Sequence, residues 1–270
     1  MTQRTIRRRC AAFLAIGAMA ALAMPNTAQA APQLADLDAK QSMSVKASNG
    51  ERLEGKNLHA IQLATYTAAS VDDNTIVGYD LTTNTALASD ITAAAKTAGA
   101  TDANLTVNGK NDPMVWVVKN LTDSRSDPWS GKLRNFCNSL AKQTNFAKQE
   151  GTAVATLSQD KTTMSTGNVL VPGIYAIVDR TPATTTPSGG TAVKTTASIM
   201  MMNGTAVNGI SQLRTASGTT LTLGQVIYKV SSVETPDKKV NVGSTWKDSA
   251  SEAIGKNLTY RVTQKIPNWT

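Results

Sequence analysis

The chain has 270 residues, 4% aromatics and a formal charge of +8, with one histidine and two cysteines. Four arginines (Arg4, Arg7, Arg8 and Arg9) and no acid fall in the first thirty residues, leaving +4 on the remainder. The other basic residues are scattered and not interleaved with aromatics, a solvated surface rather than a nucleic-acid footprint. A single histidine, His59, rules out HExxH and paired-histidine zinc sites, so no metal or cofactor is expected. A Ser-His-Asp arrangement would need His59 itself, which sits in a strand-like run where a packed or surface role is the simpler account.

The N-terminus reads as a secretion signal over residues 1–30. A basic n-region precedes the short apolar stretch Ala11 to Met24, and Ala28-Gln29-Ala30 supplies a small-residue cleavage pattern ending at Ala30. The consecutive arginines also allow a twin-arginine reading, but general secretion fits better. No later run approaches the ~20 apolar residues of a membrane span. After cleavage only Cys137 remains, so no intrachain disulfide is expected in spite of an oxidising compartment.

In chain order, Ser42 to Ala47 reads as a strand followed by the hairpin signal Asn49-Gly50. Leu58 to Tyr66 is a half-buried strand, Asp72-Asp73-Asn74 a turn, and Thr75 to Leu81 another strand. Asp90 to Ala98 is Ala-rich and helical, stopped by Gly99. A second helix starts at the N-cap Asp127 with Pro128 in its first turn. It carries Trp129, Leu133, Phe136, Cys137 and Leu140 on one stripe. On that stripe Cys137 is a small core hydrophobe rather than a reactive thiol. Trp116 reads as a strand residue.

Strands return with Val169 to Val171, a Pro172-Gly173 turn and Ile174 to Val178. Thr181 to Thr195 reads as an exposed Pro/Gly/Thr loop. Ala197 to Met202 is a short buried strand whose methionines fill core space. Asn203-Gly204 and Asn208-Gly209 are turn signals, and Leu221 to Val233 closes the first domain. From Thr235 the pattern starts afresh: a strand with adjacent Lys238 and Lys239, a polar connection, then alternating Leu258, Tyr260 and Val262 against Thr259, Arg261 and Thr263. Two strands bury no core, so a second all-β domain is expected to begin here and continue beyond Thr270. The expected organisation is a mainly β N-terminal domain with inserted helices over residues 31–233, then the start of a second domain over 234–270.

Several stretches together resemble Gram-positive, actinobacterial sortase-assembled fimbrial subunits. DPMVWVVKNLTDS and DPWSGKLRNF, between Asp112 and Phe136, are similar to the helical insert of their N-terminal domain. VPGIYAIVD, from Val171 to Asp179, resembles the family's G-x-Y-x-x-x-D strand. TPDKKV leading to AIGKNLTYRVTQKIPN is similar to the opening of the isopeptide-forming domain. The likeness spans roughly residues 40 to 270.

What the resemblance implies is a stack of immunoglobulin-like β-sandwiches, polymerised outside the cell by a sortase and anchored to peptidoglycan. Other pilin subunits and the sortase would be the partners. In such domains a lysine on the first strand attacks an asparagine on the last, with an acid relaying protons. The bond staples the domain, and no turnover catalysis is expected. The lysine would be Lys238, which shares strand parity with Val240 and Val242, with Lys239 as the alternative. Solvated strand-edge lysines are the plain reading of both. The asparagine and acid would lie beyond Thr270, since Asp248 and Glu252 read as surface acids of a connecting segment. The inter-subunit lysine motif of backbone pilins is absent. Lys229 is its one weak candidate, which favours a minor, tip or basal subunit.

Two other readings stand beside this one. A secreted enzyme or carbohydrate-binding module would use Trp116, Trp129, Trp246 or Trp269 as a platform, and a secreted binding protein would hold a small ligand.

Overall fold

The computed structural model describes residues 32–48, 52–121, 131–182, 185–188, 191–195, 200–215, 218–228, 232–234, 237–251 and 257–263. The expected signal segment, the Asn49-Gly50 turn and the helix start at Asp127 and Pro128 lie outside these residues.

The first half of the chain supplies β1 (Gln33–Leu34), β2 (Ser44–Ala47), the long β3 (Leu58–Asp72), β4 (Thr75–Thr83) and α1 (Ala88–Thr97). A small hairpin of β5 (Thr106–Val107) and β6 (Lys110–Asn111) leads into α2 (Pro113–Asn120), α3 (Lys132–Leu140) and α4 (Thr144–Ala147). Then follow β7 (Thr152–Ala153), β8 (Thr156–Leu157), β9 (Thr163–Ser165), β10 (Gly173–Asp179), β11 (Thr185–Ser188), β12 (Thr191–Thr195) and β13 (Met201–Gly204). The series ends with β14 (Gln212–Arg214), β15 (Thr220–Thr222), β16 (Gln225–Tyr228), β17 (Ser232–Glu234), β18 (Asp237–Val242), β19 (Thr245–Lys247) and β20 (Tyr260–Thr263). The fold is mainly β, built from several sheets.

The largest sheet runs β13-β10-β3-β4-β14-β15, with β1 and β7 also paired to β3. It is covered on both faces. Helices α1 to α4 pack on one face through Ile91, Ala94, Met114, Val117, Phe136, Leu140 and Phe146. On the other, Leu58, Ala60, Tyr175 and Ile177 meet Val45, Met164, Val226 and Tyr228 from a second sheet, β16-β2-β9-β8. In β10 the alternation is clean, with Ile174 and Ala176 toward the helices and Tyr175 and Ile177 toward the second sheet.

Strand β3 keeps its apolar residues on the helical side by being irregular. Ile174 pairs with Ala64 but Tyr175 pairs with Gln62, so Leu63 is an extra residue. Ile61 and Leu63 face the helices by ordinary alternation, and the bulge reverses the parity so that Ala64 and Tyr66 face them too. A second irregularity between Tyr66 and Ala68 does the same for Ala69, opposite Tyr79. Tyr66 and Tyr79 then meet with ring centroids 5.1 Å apart.

Several expectations change. Trp116 lies in α2, not in a strand, where it packs partly buried against the helical core. Asp112-Pro113 opens that helix with a signature like that expected at Asp127-Pro128, and Pro113 needs no partner for its missing N–H. Asp112 also accepts from the backbone N–H of Thr83 at 2.9 Å and from its hydroxyl, while Thr83 Oγ1 accepts from Met114 N–H. The stretch expected as a Thr181 to Thr195 loop contains the antiparallel pair β11 and β12. Asn203-Gly204 is no turn. It ends strand β13, where a Cβ on Gly204 would lie 2.1 Å from the Tyr66 hydroxyl. Of Val169 to Val171 only Leu170 forms a bridge, to Gln41.

Other expectations hold. Asp73 and Asn74 take left-handed φ values of 45° and 56°, the two-residue turn that matches strand twist. Asn208 and Gly209 form the same kind of turn. Phe136, Cys137 and Leu140 are buried on α3.

Candidate functional site

Strands β18, β19 and β20 form a separate three-stranded antiparallel sheet in the order β19-β18-β20. The β18–β19 turn is Gly243-Ser244, both left-handed, at φ 55° and 72°. Strand β17 pairs instead with β12, so the expected division after Val233 falls within β17, three residues before this sheet begins.

Register assigns the faces, because directly paired residues point to the same side. Lys238 pairs with Val262, Val240 with Tyr260 and Lys247, and Val242 with Thr245. One face therefore carries Lys238, Val240, Val242, Thr245, Lys247, Tyr260 and Val262. The other carries Asp237, Lys239, Asn241, Trp246 and Arg261. Cross-strand contacts agree: the Lys238 ammonium stands 4.5 Å from the Tyr260 ring centroid, and the Arg261 guanidinium 4.8 Å from that of Trp246.

The two lysines differ in their surroundings. Lys239 Nζ lies 2.5 Å from Asp248 Oδ1 and 3.7 Å from Asp237 Oδ1. The hydrogen bond to Asp248, helped by the charge of Asp237, raises the Lys239 pKa and holds the amine protonated. A protonated amine has no lone pair to attack with. Lys238 has no carboxylate within ion-pair distance among the described residues and shares its face with Val240, Val242 and Val262.

The inward position expected for Lys238 is nevertheless only half met. Val240 on the same face is buried, but Lys238 is exposed, and Tyr260 and Val262 are 50% and 62% exposed. Strand parity gave the face correctly. A face becomes an interior only when another layer lies on it.

The remaining candidates fall as follows. Ala30, Lys229, Glu252, Trp129 and Trp269 lie outside the described residues. His59 is half-buried on β3 with Nε2 2.8 Å from Asn57 Oδ1. Trp246 has the Arg261 guanidinium 4.8 Å from its ring centroid and is 36% exposed.

The G-x-Y-x-x-x-D stretch has a structural explanation at each named position. A Cβ on Gly173 would lie 2.1 Å from Ala64 O, so β3 and β10 can only approach this closely with glycine there. Tyr175 donates from its hydroxyl to Val171 O at 2.9 Å, and burial pushes its pKa up to about 12. Asp179 accepts from Thr181 N–H at 2.8 Å and from the hydroxyl of the buried Tyr228, tying β10 to β16. The sequence pattern located these residues. It held no signal for Tyr228, whose partner lies 49 positions away.

Comparison with protein families finds no matching family model, and comparison with curated proteins finds no matching sequence. Functional reasoning therefore rests on the residues themselves.

Proposed function

We propose that this chain is a structural and adhesive subunit of a cell-surface fimbria, exported, polymerised by a sortase and held at the cell wall. On this reading the sheet-on-sheet part is an immunoglobulin-like sandwich with helices added on its outer face, and β18–β20 opens an isopeptide-forming module. The observation that carries the proposal is the placement of Lys238. It shares a face with Val240, Val242 and Val262, lies over Tyr260 and has no carboxylate within ion-pair distance among the described residues, while its neighbour Lys239 is held in ion pairs.

The chemistry needs a second layer over that face. Covering Lys238 removes its hydration and favours the neutral amine. The Nζ lone pair can then attack the side-chain carbonyl of an asparagine on the covering strand, forming a C–N bond as ammonia leaves. An acid must protonate the departing nitrogen, and Asp248 is already engaged with Lys239. The product is a crosslink that resists pulling.

Cell-wall extracts boiled in detergent test the assembly. The expected result is a ladder of covalent multimers reactive to an antibody against this chain, lost when the cell's sortase genes are deleted. A single monomeric species found only in the medium would overturn the proposal.

A further inference from the structure

A cavity of about 210 Å³ opens beside the α3–α4 connection, away from the lysine-bearing sheet. Its walls include Ile61 of β3, Val178 of β10, Met200 and Phe146. Ile61, Phe146 and Met200 are all at most 6% exposed. At its edge stands Arg180, half-buried, whose Nη2 donates to the backbone carbonyl of Gln149. Asp179 also borders the cavity, but its carboxylate already accepts from Tyr228 and Thr181. No carboxylate among the described residues lies within ion-pair distance of Arg180.

A half-buried guanidinium with no carboxylate paired to it among the described residues, at the edge of a half-open cavity floored by Ile61, Phe146 and Met200, matches a ligand with an apolar body and one negative end. A cavity of ~150 Å³ accepts benzene, so this one has room for a ring or short chain bearing a carboxylate. Guanidinium suits that group because its fixed donors pair with both carboxylate oxygens. We infer that this cavity binds a small monocarboxylate, its tail against Ile61, Phe146 and Met200 and its carboxylate on Arg180. The inference is independent of the Lys238 reading.

Calorimetric titration of the secreted protein with benzoate and with neutral benzyl alcohol tests it. Benzoate is expected to bind with Kd near 1 mM or tighter, the usual efficiency of a ligand this small. Benzyl alcohol should bind about tenfold more weakly, the worth of a charge-assisted hydrogen bond. Arg180→Gln should erase that preference and leave benzyl alcohol unchanged. Ala147→Trp, at an exposed position on the cavity wall, should weaken both ligands without unfolding the protein. Absence of binding at about 10 mM, equal affinity for the two ligands, or an undiminished preference in Arg180→Gln would each overturn the assignment.

Discussion

The central strands β3 and β10 and the strands β18 and β20 occupy opposite physical situations. Strand β10 is covered on both faces, by helices on one side and a second sheet on the other. Strand β20 is exposed at all four positions. The sequences differ accordingly: IYAIV in β10 is apolar at every position, as burial on both faces requires, whereas YRVT is apolar only at alternate places. What the rest of the chain places on each face matches that difference. A substitution in the first region should therefore disturb packing on two sides. One in the second should alter chemistry with little effect on stability.

The widest contrast is expected from glycine. Gly173→Val forces side-chain atoms into the Ala64 backbone and should cost about 3 kcal/mol or more, read as a shift in denaturant midpoint. The matching change in the other region, Val262→Ala, should stay within about 0.5 kcal/mol because Val262 is mostly solvated. A comparable cost for the two would remove the distinction between covered and open sheets.

A step smaller is the tertiary cap at α4. Buried Asp90 accepts from Phe146 N–H at 2.8 Å and from the Asn145 amide at 3.0 Å, serving a helix whose own N-cap residue, Gln143, makes no side-chain cap. Asp90→Ala leaves that buried N–H unpaired and should cost about 2 kcal/mol. Amide exchange at Phe146 should accelerate with the loss of stability. Unchanged protection would mean that α4 is held by packing alone.

Alkali should separate the regions as well. Burial raises the Tyr175 pKa from 10.0 to about 12, and the raised form is the protonated one. Below pH 10 the phenol is neutral folded or unfolded and its contribution is fully present. Above pH 10 the unfolded chain ionises first, so stability falls as pH climbs toward 12. Tyr175→Phe should flatten that part of the stability curve. A slope unaltered by the substitution would assign the alkaline loss elsewhere. The smallest effect is expected at Lys239→Met, where breaking exposed ion pairs should change stability by no more than about 0.5 kcal/mol.

How much of this was legible beforehand depends on range. Local signals were readable: the Asp73-Asn74 turn, the Ala-rich α1, the buried stripe of α3 and the strand from Ile174. Two turns with local signals, Asn108-Gly109 and Gly243-Ser244, went unread although their dipeptides suit left-handed backbone. So did the Asp112-Pro113 helix start, because the apolar run after it also reads as a strand. The bulges at Leu63 and Thr67 were not legible, since each is defined only by the partner strand. The same holds for the parallel pairing of β16 with β2, which joins Gln225 to Ser44 across most of the chain. At the candidate site, strand parity sufficed to place Lys238 with Val240. Neither the exposure of Lys238 nor the Asp248 partner of Lys239 follows from parity, because both depend on neighbours outside the strand.

Intact mass of the unassembled protein made by a strain lacking its sortase genes, alongside a Lys238→Ala variant, most directly tests whether this sheet is the seat of a self-made crosslink. The account predicts a wild-type mass about 17 Da below the value calculated from the residues, the ammonia lost when lysine displaces an asparagine amide. Lys238→Ala should regain the full calculated mass. A wild-type protein at its calculated mass, with Lys238 recovered in an unmodified peptide, would contradict it.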